Sequence, residues 1–137
     1  MIHTSVIHID TSFLPVYFCG VAFICHNAGR LLGKTVIKKV GYNMFMATTL
    51  VTTLTCGFGG ASIRAAEAIK GIDQLNVKFH AWTAMTVFLL TTILAVYSFR
   101  ALLGRGEEIK NDKMLFAVSL VFFLVFFCTL FLAYRIR

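Results

Sequence analysis

The sequence predicts an all-α integral membrane protein, a bundle of four transmembrane helices, and three observations carry that reading. The chain of 137 residues is 58% hydrophobic and only 14% charged, with a mean hydropathy of +0.82. A soluble domain is about 45–50% apolar and about 25% charged. A chain this short cannot hide so much apolar surface in a water-facing globule. The apolar residues fall into four runs, each near the roughly 20 residues that cross a hydrocarbon core. The 13 Lys and Arg fall almost entirely between those runs, as at bilayer flanks.

The runs give a single domain over 1–137, with helices over about 12–32, 41–63, 77–103 and 114–134. The first follows an N-terminal stretch without a basic region, so Phe13 onward reads as a retained helix and not as a signal peptide. The second and third carry Thr48, Thr49, Thr52, Thr53, Thr55, Thr83, Thr86, Thr91 and Thr92. These hydroxyls can bond back to their own helix or across to a neighbour. Gly29 and Gly33, and Gly57 and Ala61, are small pairs four apart that allow close helix approach. The fourth run, with Phe116, Phe122, Phe123, Phe126, Phe127 and Phe131, is apolar all round. It is expected at the periphery, against lipid or a partner subunit. Too few alternating segments are present for a closed barrel.

Charge gives the orientation. The first and third connections with their flanks hold Arg30, Lys34, Lys38, Lys39, Arg100, Arg105, Lys110 and Lys113. The positive-inside rule puts that side in the cytoplasm and both termini outside it, in a bacterial inner membrane. The net charge of +7 then reads as headgroup contact, with no nucleic acid among the partners.

The chemistry available is narrow. Cys19, Cys25, Cys56 and Cys128 lie inside apolar runs without a CxxC pair, which argues against a disulfide framework or a zinc site. No intramembrane Asp, Glu, Lys or Arg is evident, which weakens a pump or channel reading. Gly57-Phe58-Gly59-Gly60 lacks the Lys of a phosphate loop. No Ser in a recognisable turn suggests a hydrolase, and no catalytic residue is assigned.

The histidines remain: His3, His8, His26 and His80. The first run leaves the outer side just after His8, and the third leaves it near His80. Two histidines from two helices at one depth are how a bundle grips haem b through axial imidazoles. Gly57 and Gly60 fall at the same depth on the second helix, where missing side chains make room for a flat macrocycle. His8 and His80 are the expected iron ligands and His3 a second or alternative one. Phe79 and Trp82 are placed to pack on the ring or to anchor the interface. His26 is about 27 Å from His8 on a continuous helix, at the opposite boundary. There it reads as interfacial, or as half of a second site with Met44 or Met46.

The opening Ile2-His3-Thr4-Ser5-Val6-Ile7-His8 resembles the IHPxxVHFP opening of the bacterial domain-of-unknown-function family 2231. Phe79-His80-Ala81 and the glycine-containing end of the second helix are similar to that family's layout. Thr4 stands in place of the first Pro, and Ile9-Asp10 in place of Phe-Pro. The resemblance implies a small four-helix membrane protein with His3, His8 and His80 as the positions of interest. It also implies redox surroundings, since such domains are sometimes joined to c-type cytochrome modules.

Three readings follow. The first is a haem b-binding subunit of a respiratory or photosynthetic electron-transfer complex, beside a quinone where one is bound. It is not expected to be an enzyme by itself. Its partners would be other membrane subunits or a c-type cytochrome, in a homo- or hetero-oligomer. The second is a cofactor-free accessory subunit docked through the fourth helix. The third is a metal or pigment site at the same histidines, copper or a chlorophyll magnesium.

Overall fold

A computed structural model describes residues 12–67, 74–105 and 108–136. The fold is all-α, with four helices: α1 Leu14–Leu31, α2 Thr35–Glu67, α3 Gln74–Leu102 and α4 Glu108–Ile136. Of these, α2, α3 and α4 are long and apolar enough to cross a membrane. α1 is shorter, 18 residues, and its last turns carry His26, Asn27 and Arg30. The helices α2 and α4 begin earlier than the apolar runs at 41 and 114 suggest. That difference places Lys38 and Asp112 inside helices.

Chain punctuation explains the path. Pro15 sits at the start of α1, where its missing N–H costs nothing. At the far end, Gly33 takes φ +64°. Lys34 N donates to Gly29 O and Gly33 N to Arg30 O, the paired bonds of a left-handed glycine cap. The end of α3 repeats the device, with Gly104 at φ +65°, Arg105 N to Arg100 O and Gly104 N to Ala101 O. Both caps turn the chain tightly, so consecutive helices pack as antiparallel neighbours. α1 also meets α4, with the Phe23 ring 5.5 Å from Phe116 and 6.1 Å from Phe123.

Each helix buries one seam spaced by alternating threes and fours: Pro15, Cys19, Ala22, His26 and Gly29 on α1, and Val87, Thr91, Leu94 and Ser98 on α3. This is the spacing of helices packed at a shallow angle. The core holds Phe45, Leu94, Leu115 and Phe122, but much of the seam is hydroxyl: Thr48, Thr52, Thr91, Ser98 and Ser119 are buried. Most bond back to their own helix, as Thr52 does to Thr48 O and Ser119 to Leu115 O. Thr49 instead crosses to Thr91 O at 2.6 Å. The outward faces are the apolar ones: Tyr17, Ile24, Leu50, Trp82, Leu124 and Phe127 are all exposed. That inversion of the soluble pattern suits contact with lipid.

Two expectations hold in part. Phe122 and Phe126 lie in the core, on a stripe with Asp112, Leu115 and Ser119, while Phe127 faces out. Among the described residues, α4 nonetheless packs least against the rest of the chain, as expected of a peripheral helix. The phenylalanines run round the helix, but small and polar residues mark which side faces in. Close approach falls at one of the expected small residues, Gly29, and at Gly41, but not at Gly57. A Cβ on Gly29 would collide with the Lys38 backbone, and one on Gly41 would come within 2.6 Å of His26 N. Here α1 and α2 touch backbone to backbone. Gly41→Ala is expected to destabilise the bundle by about 1–3 kcal/mol, the usual cost of overpacking, read as a lower unfolding temperature in detergent. Gly20→Ala, where a Cβ meets nothing within 4 Å, is the neutral control.

Candidate functional site

Two places in the bundle concentrate chemistry, one at each end. The first is a cavity of about 670 Å³ where α1 and α3 begin and α2 and α4 end, within the usual range for cofactor and ligand sites. Its walls include Gly57, Gly60, His80, Ala84, Phe88 and Phe126. It exists because small residues on α2 face small residues on α3: a Cβ on Gly57 or Gly60 would meet nothing within 4 Å. The structure thus brings together three residues singled out from sequence, Gly57, Gly60 and His80. His3 and His8 lie outside the described residues. Ser12, four residues after His8, lines the same cavity.

His80 is half-buried, and its Nδ1 lies 3.1 Å from Thr129 O on α4. A carbonyl only accepts, so Nδ1 carries the proton and Nε2 is the lone-pair nitrogen of the neutral ring. A backbone carbonyl fixing one ring nitrogen is the usual support for a histidine that ligates through the other. Phe79 and Trp82 do not join the cavity walls. Both are largely exposed, Trp82 at 73%, which is the placement of interfacial anchors. Phe13, Phe88 and Phe126 are the aromatic walls instead. No group of three or more metal-ligating side chains occurs among the described residues.

The second place was not anticipated. At the other end Asp112 accepts three bonds: from His26 Nε2 at 3.0 Å, Lys38 Nζ at 2.7 Å and Tyr42 Oη at 3.3 Å. Lys38 also donates to Glu108 at 2.6 Å. His26, Lys38, Tyr42 and Asp112 are all buried, whereas the Glu108 side chain is 76% exposed. Lys38 and Asp112, which the sequence places outside the apolar runs, are therefore buried residues of α2 and α4. The His26 ring is enclosed between helices, 5.5 Å from Tyr42 and 6.1 Å from Phe45. Nε2 of His26 is thus engaged by Asp112. Lys38 also leaves the set of lysines free to meet headgroups.

One signal could have found this cluster. Lys38, Phe45 and Thr52 are seven apart, as are Asp112, Ser119 and Phe126, so both charges continue the buried seams. Composition points the other way, because a charge near the end of an apolar run normally marks the membrane boundary.

No family model matches the chain, and neither curated proteins nor solved structures give a match.

Proposed function

We propose that this chain is a haem b-binding subunit of a membrane electron-transfer complex, and that the group sits in the cavity between Gly57, Gly60 and His80. The observation that carries the reading is His80 on the wall of an apolar, cofactor-sized cavity, with its ring oriented by the contact of Nδ1 with Thr129 O. His80 and His8 would hold the iron, with His3 as the alternative to His8. Haem supplies one-electron transfer when bound. The chain's own residues do the rest: Gly57 and Gly60 leave room, Phe88 and Phe126 exclude water, and Thr129 fixes the His80 ring. The likeness to family 2231 belongs to this proposal and rests on the Ile2–His8 opening and on Phe79-His80-Ala81.

Ligand variants test it. His80→Ala and His8→Ala should each abolish the low-spin haem spectrum of the purified chain, and His26→Ala should leave the ligand set intact. A haem that keeps its spectrum through both His8→Ala and His80→Ala would show that other residues hold the iron. A cofactor-free accessory subunit is the second reading, favoured by the exposed apolar faces of α3 and α4, with Leu89, Val96, Leu120 and Leu124 outward. It predicts no visible absorbance in any of these proteins.

The proposal includes all four helices crossing a bacterial inner membrane, with both termini outside the cytoplasm. Lys34 and Lys39 are exposed at the basic end. In a background lacking the four native cysteines, a cysteine replacing Thr4 should react with an impermeant reagent in intact cells. One replacing Lys34 should react only after lysis. The reverse pattern would invert the topology.

A further inference from the structure

Each helix contributes one polar residue to a single level of the bundle. His26 lies against Gly41 of α2, and Tyr42 and His26 both bond to Asp112 of α4. The register of α3 follows from two other contacts. Thr49 meets Thr91, and seven residues along each antiparallel helix bring Tyr42 opposite Ser98. His80 meets Thr129, and eighteen residues along each helix bring Ser98 opposite Asn111. His26, Tyr42, Ser98 and Asp112 therefore form one layer.

Two buried side-chain atoms among the described residues have no hydrogen-bond partner, His26 Nδ1 and Ser98 Oγ. Both belong to this layer. Since the Asp112 carboxylate accepts, His26 donates from Nε2, and Nδ1 is left as a bare lone pair in the closed interior. Such an atom is costly unless it has a use. The layer also has an approach from water. A polar cavity of about 350 Å³ lies beside it, lined by Arg30, Lys38, Glu108, Asp112 and Lys113.

We propose that this layer is a proton-binding site, in which His26 takes up one proton at Nδ1 that arrives from water through the polar cavity. The product is an imidazolium held by Asp112 through Nε2, with Ser98 Oγ as the acceptor available at the level of the new N–H. No bond between heavy atoms changes, and the charge gained is that of the proton. The surroundings suit one added charge. α4 presents Asp112 and Glu108 against its own Lys113, α2 presents Lys38 and Tyr42, and α1 presents Arg30. α3 presents Ser98, while its nearest cation, Arg100, sits 5.9 Å from the Tyr97 ring. Lys38 already bridges both carboxylates and can lean toward Glu108 as His26 becomes charged. The site lies at the end of the bundle opposite His80 and does not depend on what the other cavity holds.

The test is nitrogen NMR of histidine-labelled full chain in phosphatidylcholine nanodiscs, with the His26 signals assigned by loss in His26→Gln. At about pH 8 the ring should be the neutral Nε2–H tautomer, and it should become imidazolium before about pH 4, where carboxylates begin to protonate. Ser98→Ala should lower the proton affinity of His26 about tenfold, the worth of one hydrogen bond to a charged group. Asp112→Asn should lower it at least about tenfold. If Asp112→Asn does not fold, Ser98→Ala decides alone. A Nδ1–H tautomer, a ring neutral throughout, or an affinity unchanged within about twofold in Ser98→Ala would each overturn the proposal.

Discussion

Asp112→Ala should destabilise the folded bundle by about 3–5 kcal/mol, the cost of removing one partner of a buried ion pair. Asp112 is the acceptor for His26, Lys38 and Tyr42 together. Without it Lys38 keeps only Glu108, whose side chain is mostly in solvent, and His26 loses the bond of Nε2. Three helices are joined through this one carboxylate, so the damage should reach α1 packing as well as α4. Glu108→Gln should cost no more than about 1 kcal/mol, as exposed pairs do. The paired change Lys38→Met with Asp112→Leu should recover most of the loss, since apolar residues of similar volume replace a buried pair at little cost. Unfolding of each variant in detergent, followed by circular dichroism, gives the order. Equal losses for Asp112→Ala and Glu108→Gln would mean the cluster is solvated and not buried.

The sequence told where helices lie more reliably than which residues face inward. The apolar runs located the four elements, and the change from polar to apolar placed their limits at 41 and 114. Those limits are hydropathy boundaries, whereas a helix persists as long as its backbone is bonded and capped. α2 and α4 accordingly start a turn and a half or more earlier, and Lys38 and Asp112 are drawn in with them. Inward facing was obscured for a related reason. In a chain whose outer surface is apolar, phenylalanine does not mark the core, and Phe126 and Phe127 look alike until one is buried and the other is not. The cavity fared better, because Gly57, Gly60 and His80 were placed by depth alone, and depth follows from helix rise. The His26–Asp112 pair joins residues 86 apart, and only the seam spacing within each helix hints at it.

The second large effect concerns the cavity. Gly57→Leu combined with Gly60→Leu should abolish cofactor binding while leaving the bundle as stable as before or more so. Both glycines line the cavity, and a Cβ at either meets nothing within 4 Å. The leucine side chains therefore enter open space without moving a backbone. Replacing glycine inside a helix also favours the helix by up to about 1 kcal/mol per position. Loss of binding with retained or raised stability separates a cavity kept open for a ligand from one left by loose packing. The accessory-subunit reading predicts only the gain in stability. A double variant that still binds haem with unchanged affinity would place the group elsewhere.

Haem binding is tested by the optical spectrum of the full chain, purified in mild detergent from cells supplied with haem, before and after dithionite. The expected result is a Soret band that shifts and sharpens on reduction, split visible bands of a low-spin haem, and one haem per chain. A chain that is folded by circular dichroism and featureless in the visible, with no saturable uptake of added haem, would contradict it.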